Sequence, residues 1–569
     1  MSSTYLTYPS THSLLYTSSG NSQKMDTGPD TRMPTCRGVD IEEASIAQLQ
    51  RWLQNGRFSA ADLTECYLER TRKINGVLKA VIELNPDALD IARERDGERH
   101  RGFLRGPLHG IPFLVKDNIA TKDKMQTTAG STMLIGAEVP EDAEVVKLLR
   151  EAGAVLLGHA NLSEWASMRA TYYAEAYSSR GGQSRNPYNL AENPGGSSCG
   201  PAAAVAANMC AFSLGTETDS SVILPADRNG VVGIKPTVGL TSCEGVIPES
   251  HNLDTVGTFG RSVADAAMVL DAISQPPNDF ITQTVGLKFL KGSRFGMPWK
   301  RVWEKAALDK SARTQYQSLQ ALIDRLRASG AEVIRVEIPS AEGMVPKDGG
   351  WDWDYPSKIG HPEQSEYTVV KVDFFNDLKK YLAGLTVNPN NIRSLEDVVE
   401  YNIKHTEREG GVPGTHLAWP TGQDSFDKSL ASKGIEDETY KSALSFIRQK
   451  TREEGIDAAL CYEGKPLDGL LVPVQADDGV AMQIAAQAGY PMITIPVDVG
   501  DDGVPFGLAI IQTAFKDDKL VKYGAAIEAV VGGRPRPTFR NIHADNWMYV
   551  GVPPNEKNEP APQARWTWT

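Results

Sequence analysis

The chain has 569 residues, enough for a large core, and an ordinary globular composition of 41% hydrophobic and 23% charged residues. Its 59 Lys and Arg against 72 Asp and Glu leave a net charge of −13, which argues against a nucleic-acid backbone or an anionic membrane as partner. No run reaches the roughly 18 apolar residues of a spanning helix, and six cysteines without a CxxC pair suit buried thiols in a reducing compartment.

Residues 1–36 are rich in Ser, Thr and Tyr without periodicity and are predicted to be a flexible tail. The first 20 residues lack the basic start and sustained apolar stretch of a secretory signal, so a cytoplasmic protein is expected. Helical spacing begins near Asp40 with SIAQLQRWLQNG, followed by a second helix that starts at Ser59, a plausible N-cap. Helix and strand patterns then alternate. IPFLV (Ile111–Val115) is a short buried strand, Asp142–Ala152 an amphipathic helix, and Ala154–Leu157 the next strand. An Ala-rich helix over Ala202–Asn208 leads into the strand AFSL at Ala211–Leu214. Further on come a helix over Ala312–Ser329 and strands at Glu332–Ile338, Met492–Val497 and Gly507–Gln512. This alternation predicts an α/β fold, a single large domain over 37–550 with a central sheet covered by helices on both faces. Residues 340–475 differ: polar, dotted with aromatics and short on strands, they are predicted to be an insertion of helices and loops. Residues 551–569 are predicted to be a second tail.

Three segments could carry chemistry. GIPFLVKDNIA sets Lys116 just past an apolar strand, where partial desolvation would lower its pKa and make a neutral base; read alone, a strand-end Lys is more often solvated. NPGGSSCGPAAAVAAN carries Ser197 and Ser198 on a Gly/Ser loop entering a helix, which could equally be a plain helix cap. LGTETDSSVILPADRNGVVGIKPTVGL ends a strand in a tight turn presenting Ser220 and Ser221, or an ordinary loop of solvated serines. GSSCG (Gly196–Gly200) fits G-x-S-x-G around Ser198, but a turn-rich loop precedes it where a hydrolase elbow needs a strand. No nucleotide-binding glycine loop stands in context, and the nine histidines form no HExxH or paired metal face. No metal and no cofactor are expected.

Together, in this order, the three segments resemble the amidase signature family. GHANLSEWA, SSRGGQSRNPY, DTVGTFGRSVADAA and AGYPMITIPV agree with it, so that the likeness spans roughly residues 40–275 and 480–535. The GTET, SEWASMR and GGQ stretches are most similar to its peptide-amidase-like branch. The resemblance implies a mixed central sheet and hydrolysis of a carboxamide C–N bond. It assigns Ser221 as the acylated nucleophile, Ser197 as the bridging serine on a cis peptide, and Lys116 as the base. It implies an oxyanion site in the backbone N–H groups of Thr218, Asp219, Ser220 and Ser221, with Ser198 and Thr216 aiming Lys116. The expected partner is a small-molecule amide, with a homodimer allowed. Acyl transfer to another nucleophile and a non-catalytic binding role on the same scaffold are the alternatives. Three departures stand out: Cys199 and Ser220 replace glycines, and Ile223 replaces an arginine common two residues after the nucleophile, which weakens the case for a carboxylate-bearing substrate. If position 220 needs a positive φ, serine there costs on the order of 1 kcal/mol.

Overall fold

A computed structural model describes residues 31–284, 286–346, 352–542, 547–550 and 564–567. Eleven strands form one mixed sheet. In chain order they are β1 (Val81–Leu84), β2 (Pro112–Lys116), β3 (Val155–Ala160), β4 (Phe212–Glu217), β5 (Val232–Lys235), β6 (Thr255–Gly260), β7 (Arg294–Pro298), β8 (Glu332–Val336), β9 (Gly469–Pro473), β10 (Met492–Val499) and β11 (Pro505–Ile511). The spatial order is β1-β3-β2-β4-β6-β5-β10-β11-β9-β7-β8. The β3-β2-β4 run and the β9-β7-β8 run are parallel, and the other pairings are antiparallel. Every residue of β2, β3, β4, β6 and β11 is buried, as expected of strands flanked by helices. Helices Val263–Ile273 and Asp517–Val531 pack on the sheet.

Local chemistry explains the helix starts. Ser59 caps the Ala60–Leu78 helix in a reciprocal box with Asp62, as its position predicts. The Ala-rich helix runs over Cys199–Ala206, three residues earlier than its alanines suggest. Pro201 falls in its first turn, where N–H groups have no helical partner, so proline costs nothing there.

Three expectations need correction. Residues 1–30 of the expected N-terminal tail lie outside the described residues, but Cys36 is fully buried and exchanges two 2.8 Å backbone hydrogen bonds with Val39. Arg70 donates to Thr31 O, so the ordered chain starts before residue 37. In the expected C-terminal tail, Ala564–Thr567 pairs antiparallel with Trp547–Val550; the rest of 551–569 lies outside the described residues. The range 340–475 is mainly helical, with helices Glu366–Ala383, Leu395–Lys404, Asp424–Ser432 and Glu438–Thr451. Its end, however, holds β9, a member of the central sheet; that apolar run of five is too short to stand out against its polar surroundings.

The helical segment between β8 and β9 builds its own apolar cluster. Val370, Phe374, Leu378 and Phe426 pack with Met133 and Trp165 of the sheet domain. Arg169 adds a polar tie: it donates to Glu164 Oε1 at 2.5 Å and stacks 3.8 Å over the Trp419 ring. The segment is thereby held against the stretches that follow β2 and β3.

Candidate active site

Lys116 ends β2 and is completely buried. Its Nζ lies 2.7 Å from Ser197 Oγ, 2.9 Å from Thr216 Oγ1 and 3.2 Å from Thr216 O. Ser197 Oγ lies 2.9 Å from Ser221 Oγ, and the Ser197 N–H donates to Ser221 Oγ at 3.1 Å. One unbroken chain thus joins the buried amine to Ser221, which sits only 6% exposed.

Burial pushes the Lys116 amine down to about 8, against the opposing pull of Glu249, Cys199, Asp254 and Glu217. A neutral amine has two protons and one lone pair. Thr216 offers two acceptors for the protons, which leaves the lone pair for the Ser197 hydroxyl. Asn118 Nδ2 donates to the same Thr216 Oγ1 at 3.0 Å and fixes its rotamer. Ser198 Oγ donates to Thr216 O at 3.0 Å and accepts from Thr216 N at 3.3 Å, pinning the loop to β4. Ser198 therefore serves the scaffold of this site and does not face Ser221 through its hydroxyl.

The loop that delivers Ser197 depends on glycine. The Gly196–Ser197 peptide is cis. A Cβ on Gly196 would come within 1.8 Å of Glu175 Oε1 and 2.4 Å of Ser163 Oγ. Cys199 is fully buried, and burial pushes its thiol up to about 12, leaving it protonated and inert. The tight backbone approach falls one residue later, at Gly200, so cysteine is accommodated at 199.

The turn after β4 is anchored at both ends. Glu217 Oε2 accepts the N–H groups of Val222 (2.6 Å) and Ile223 (2.9 Å), the start of the Ile223–Arg228 helix. Thr218 Oγ1 lies 2.6 Å from Asp254 Oδ1 and 3.0 Å from Glu249 Oε1. A threonine has a single hydroxyl proton, so one of these carboxyls must donate. Burial, then the neighbouring Asp254, push the Glu249 carboxyl well above its usual range. Ser220 adopts φ 64°, the left-handed geometry that the missing glycine would take at no cost, and its Oγ donates to Asp219 Oδ1 at 2.6 Å. Thr218, Asp219, Ser220 and Ser221 line a cavity of about 270 Å³, together with Gly196 and Ser197. Leu224, Val474, Met482, Tyr173 and Trp353 give it apolar walls.

All eight residues singled out in the sequence thus meet within this one site. Sequence reasoning missed Asn118, Glu217, Glu249, Asp254 and Glu366. Asn118 could have been found beside Lys116 in VKDN; the buried acids carry no local signal. Among the described residues no group of His, Cys, Asp and Glu could hold a metal ion, and no helix is long and apolar enough to cross a membrane.

The mixed sheet and the buried Lys116–Ser197–Ser221 chain stand in a protein that belongs to the amidase family: the family model described as Amidase matches residues 62–349. It is 48% identical over 546 residues to a Schizosaccharomyces pombe protein named as an amidase, covering 91% of each chain. An Arabidopsis thaliana protein also named as an amidase is 38% identical, covering 90% of this chain and 95% of that one. The solved peptide amidase of Stenotrophomonas maltophilia superposes with a TM-score of 0.77 at 37% identity, covering 88% of this chain and 99% of that one.

Proposed function

We propose that this protein hydrolyses the C–N bond of a carboxamide other than an internal peptide bond, through an acyl-enzyme on Ser221. The observation that carries it is the continuous 2.7 Å and 2.9 Å contact chain from a buried amine through Ser197 to Ser221. A serine hydroxyl is a weak nucleophile at neutral pH and needs a base in contact. Neutral Lys116 takes the proton of Ser197 as Ser197 takes that of Ser221, and Ser221 Oγ attacks the amide carbonyl. The N–H groups of the 218–221 turn hold the developing oxyanion; one such donor is worth about 3–4 kcal/mol. The relay then reverses, protonates the leaving amine, and later activates water to release the acid. Ser198 and Thr216 aim Lys116. The cavity volume suits a small-molecule amide, and the likeness to a peptide amidase supports an amide substrate.

Intact-protein mass spectrometry after incubation with a fluorophosphonate tests this. One adduct is expected on the native chain, none on Ser221→Ala, and a greatly slowed reaction on Lys116→Ala. An adduct that survives Ser221→Ala would remove Ser221 as nucleophile. Released ammonia or amine, followed with and without an added amine acceptor, separates hydrolysis from acyl transfer.

A further inference from the structure

The turn that carries Ser221 is fixed on either side, by Asp254 on Thr218 and by Glu217 on Val222 and Ile223. Its middle depends on the Asp219 side chain. Asp219 Oδ1 accepts the Ser220 hydroxyl at 2.6 Å, and the Asp219 carbonyl lies 3.3 Å from Ser221 Oγ. A shift of this carboxyl therefore pulls on the backbone that presents the nucleophile.

The same carboxyl meets the helical segment between β8 and β9. Glu366 opens the Glu366–Ala383 helix, directly after its cap Ser365, and is fully buried in the cavity wall. Its carboxyl is hydrogen-bonded to that of Asp219. Two carboxyls make such a bond only when one of them carries a proton. Burial, then the charge of Asp219, push the Glu366 carboxyl well above its usual range, toward the neutral acid that can donate. Glu366 Oε2 accepts Gln487 Nε2 at 3.1 Å, which ties the pair to the Val480–Ala488 helix. Asp219 is thus gripped from two directions, by Ser220 within the turn and by Glu366 across the cavity wall.

We propose, resting on Ser221 as the nucleophile, that Glu366 is a positioning residue: its carboxyl donates to Asp219 and, through Asp219, holds the 218–221 turn in place against Ser197. The serine that stands at 220 in place of a glycine belongs to the same device, because it supplies the other donor to Asp219. The segment between β8 and β9 thereby serves the nucleophile as well as the cavity wall.

The test follows the fluorophosphonate reaction of Ser221, read as a maximal rate and a half-saturating concentration. Glu366→Leu removes the donor at similar size. It is expected to lower the maximal rate about 10–100-fold, the worth of a hydrogen bond to a charged group, and to leave half-saturation little changed. Glu366→Gln keeps a donor for Asp219 and an acceptor for Gln487, and is expected to bring the rate back to within about threefold of native. In an Asp219→Ala background, Glu366→Leu should add less than about twofold, because its route to the turn is gone. A full effect in that background, a Glu366→Gln as slow as Glu366→Leu, or a native rate in Glu366→Leu overturns the positioning role and leaves the nucleophile standing. No labelling of the native chain overturns both. Should Glu366→Leu not fold, the infrared difference between the native protein and Glu366→Gln decides. A protonated-carboxyl band that the variant lacks supports the role, and the absence of that band overturns it.

Discussion

At Lys116 the chemistry turns on one proton. Its amine, held at about 8 by burial, is charged below that value and cannot accept from Ser197. The sign follows: kcat/KM is expected to rise about tenfold per pH unit as pH climbs toward about 8 and to level off above it. A pH–rate profile on a neutral amide checks this; a profile flat from pH 6 to 9 would exclude Lys116 as the base. Thr216→Val removes the hydroxyl that receives both Lys116 and Asn118. It is expected to lower kcat by about 10–100-fold, the worth of 1.5–3 kcal/mol of hydrogen bonding to a charged group, with KM little changed. Ser220→Gly relieves a left-handed serine at φ 64° but loses the contact to Asp219. A rise of at most about 1 kcal/mol in stability is expected, visible as a small upward shift in the thermal midpoint. A lower midpoint would mean that the Ser220–Asp219 hydrogen bond outweighs the backbone strain.

Among the elements, the helix that follows Ser197 is set by contact. A Cβ on Gly200 would lie 2.4 Å from both Ala80 O and Asn161 N, which are backbone atoms that cannot swing away. Gly200→Ala is therefore expected to cost about 1–3 kcal/mol by overpacking, and to lower fluorophosphonate labelling because the loop carrying Ser197 must shift. Thermal melts and labelling rates together check this. Much of this framework was legible in the chain. IPFLV, MITIPV and GLAIIQ are mostly apolar, EVIRVEI is rich in β-branched residues, and each became a strand of the sheet. β4 runs three residues beyond AFSL, because Gly215, Thr216 and Glu217 are polar or small yet buried by the site they serve. β5, β6 and β7 escaped notice for a related reason: Gly233, Gly257 and Gly296 break their hydrophobic pattern. At Gly257 a side chain would meet Ile234 O at 2.6 Å, so the neighbouring strand demands the glycine that hides the strand.

Across the whole molecule, the site is assembled from two sources. The Lys–Ser–Ser chain was visible in the sequence because Lys116, Ser197 and Ser221 sit in compact motifs: at the end of β2, in the loop before the Cys199–Ala206 helix and in the turn after β4. Glu366 and Trp353 were not, since a buried acid at a helix start looks the same in sequence as a solvated one. What holds their segment down is the Arg169 tie to Glu164 and Trp419, together with the apolar cluster around Phe374 and Phe426. Arg169→Ala strands Glu164 in the interior and is expected to cost about 3–5 kcal/mol. Limited proteolysis should then cut within 406–423 faster than in the native protein; unchanged cleavage would show that the apolar cluster alone secures the segment.

That division of labour has an evolutionary corollary. The strands that set the nucleophile and its base are locked into an eleven-stranded sheet, where almost any change disturbs a neighbour. The wall bearing Glu366 belongs to a helical segment spliced between β8 and β9. Substitutions in that segment can redraw the cavity wall while the sheet that seats Lys116 stays as it is.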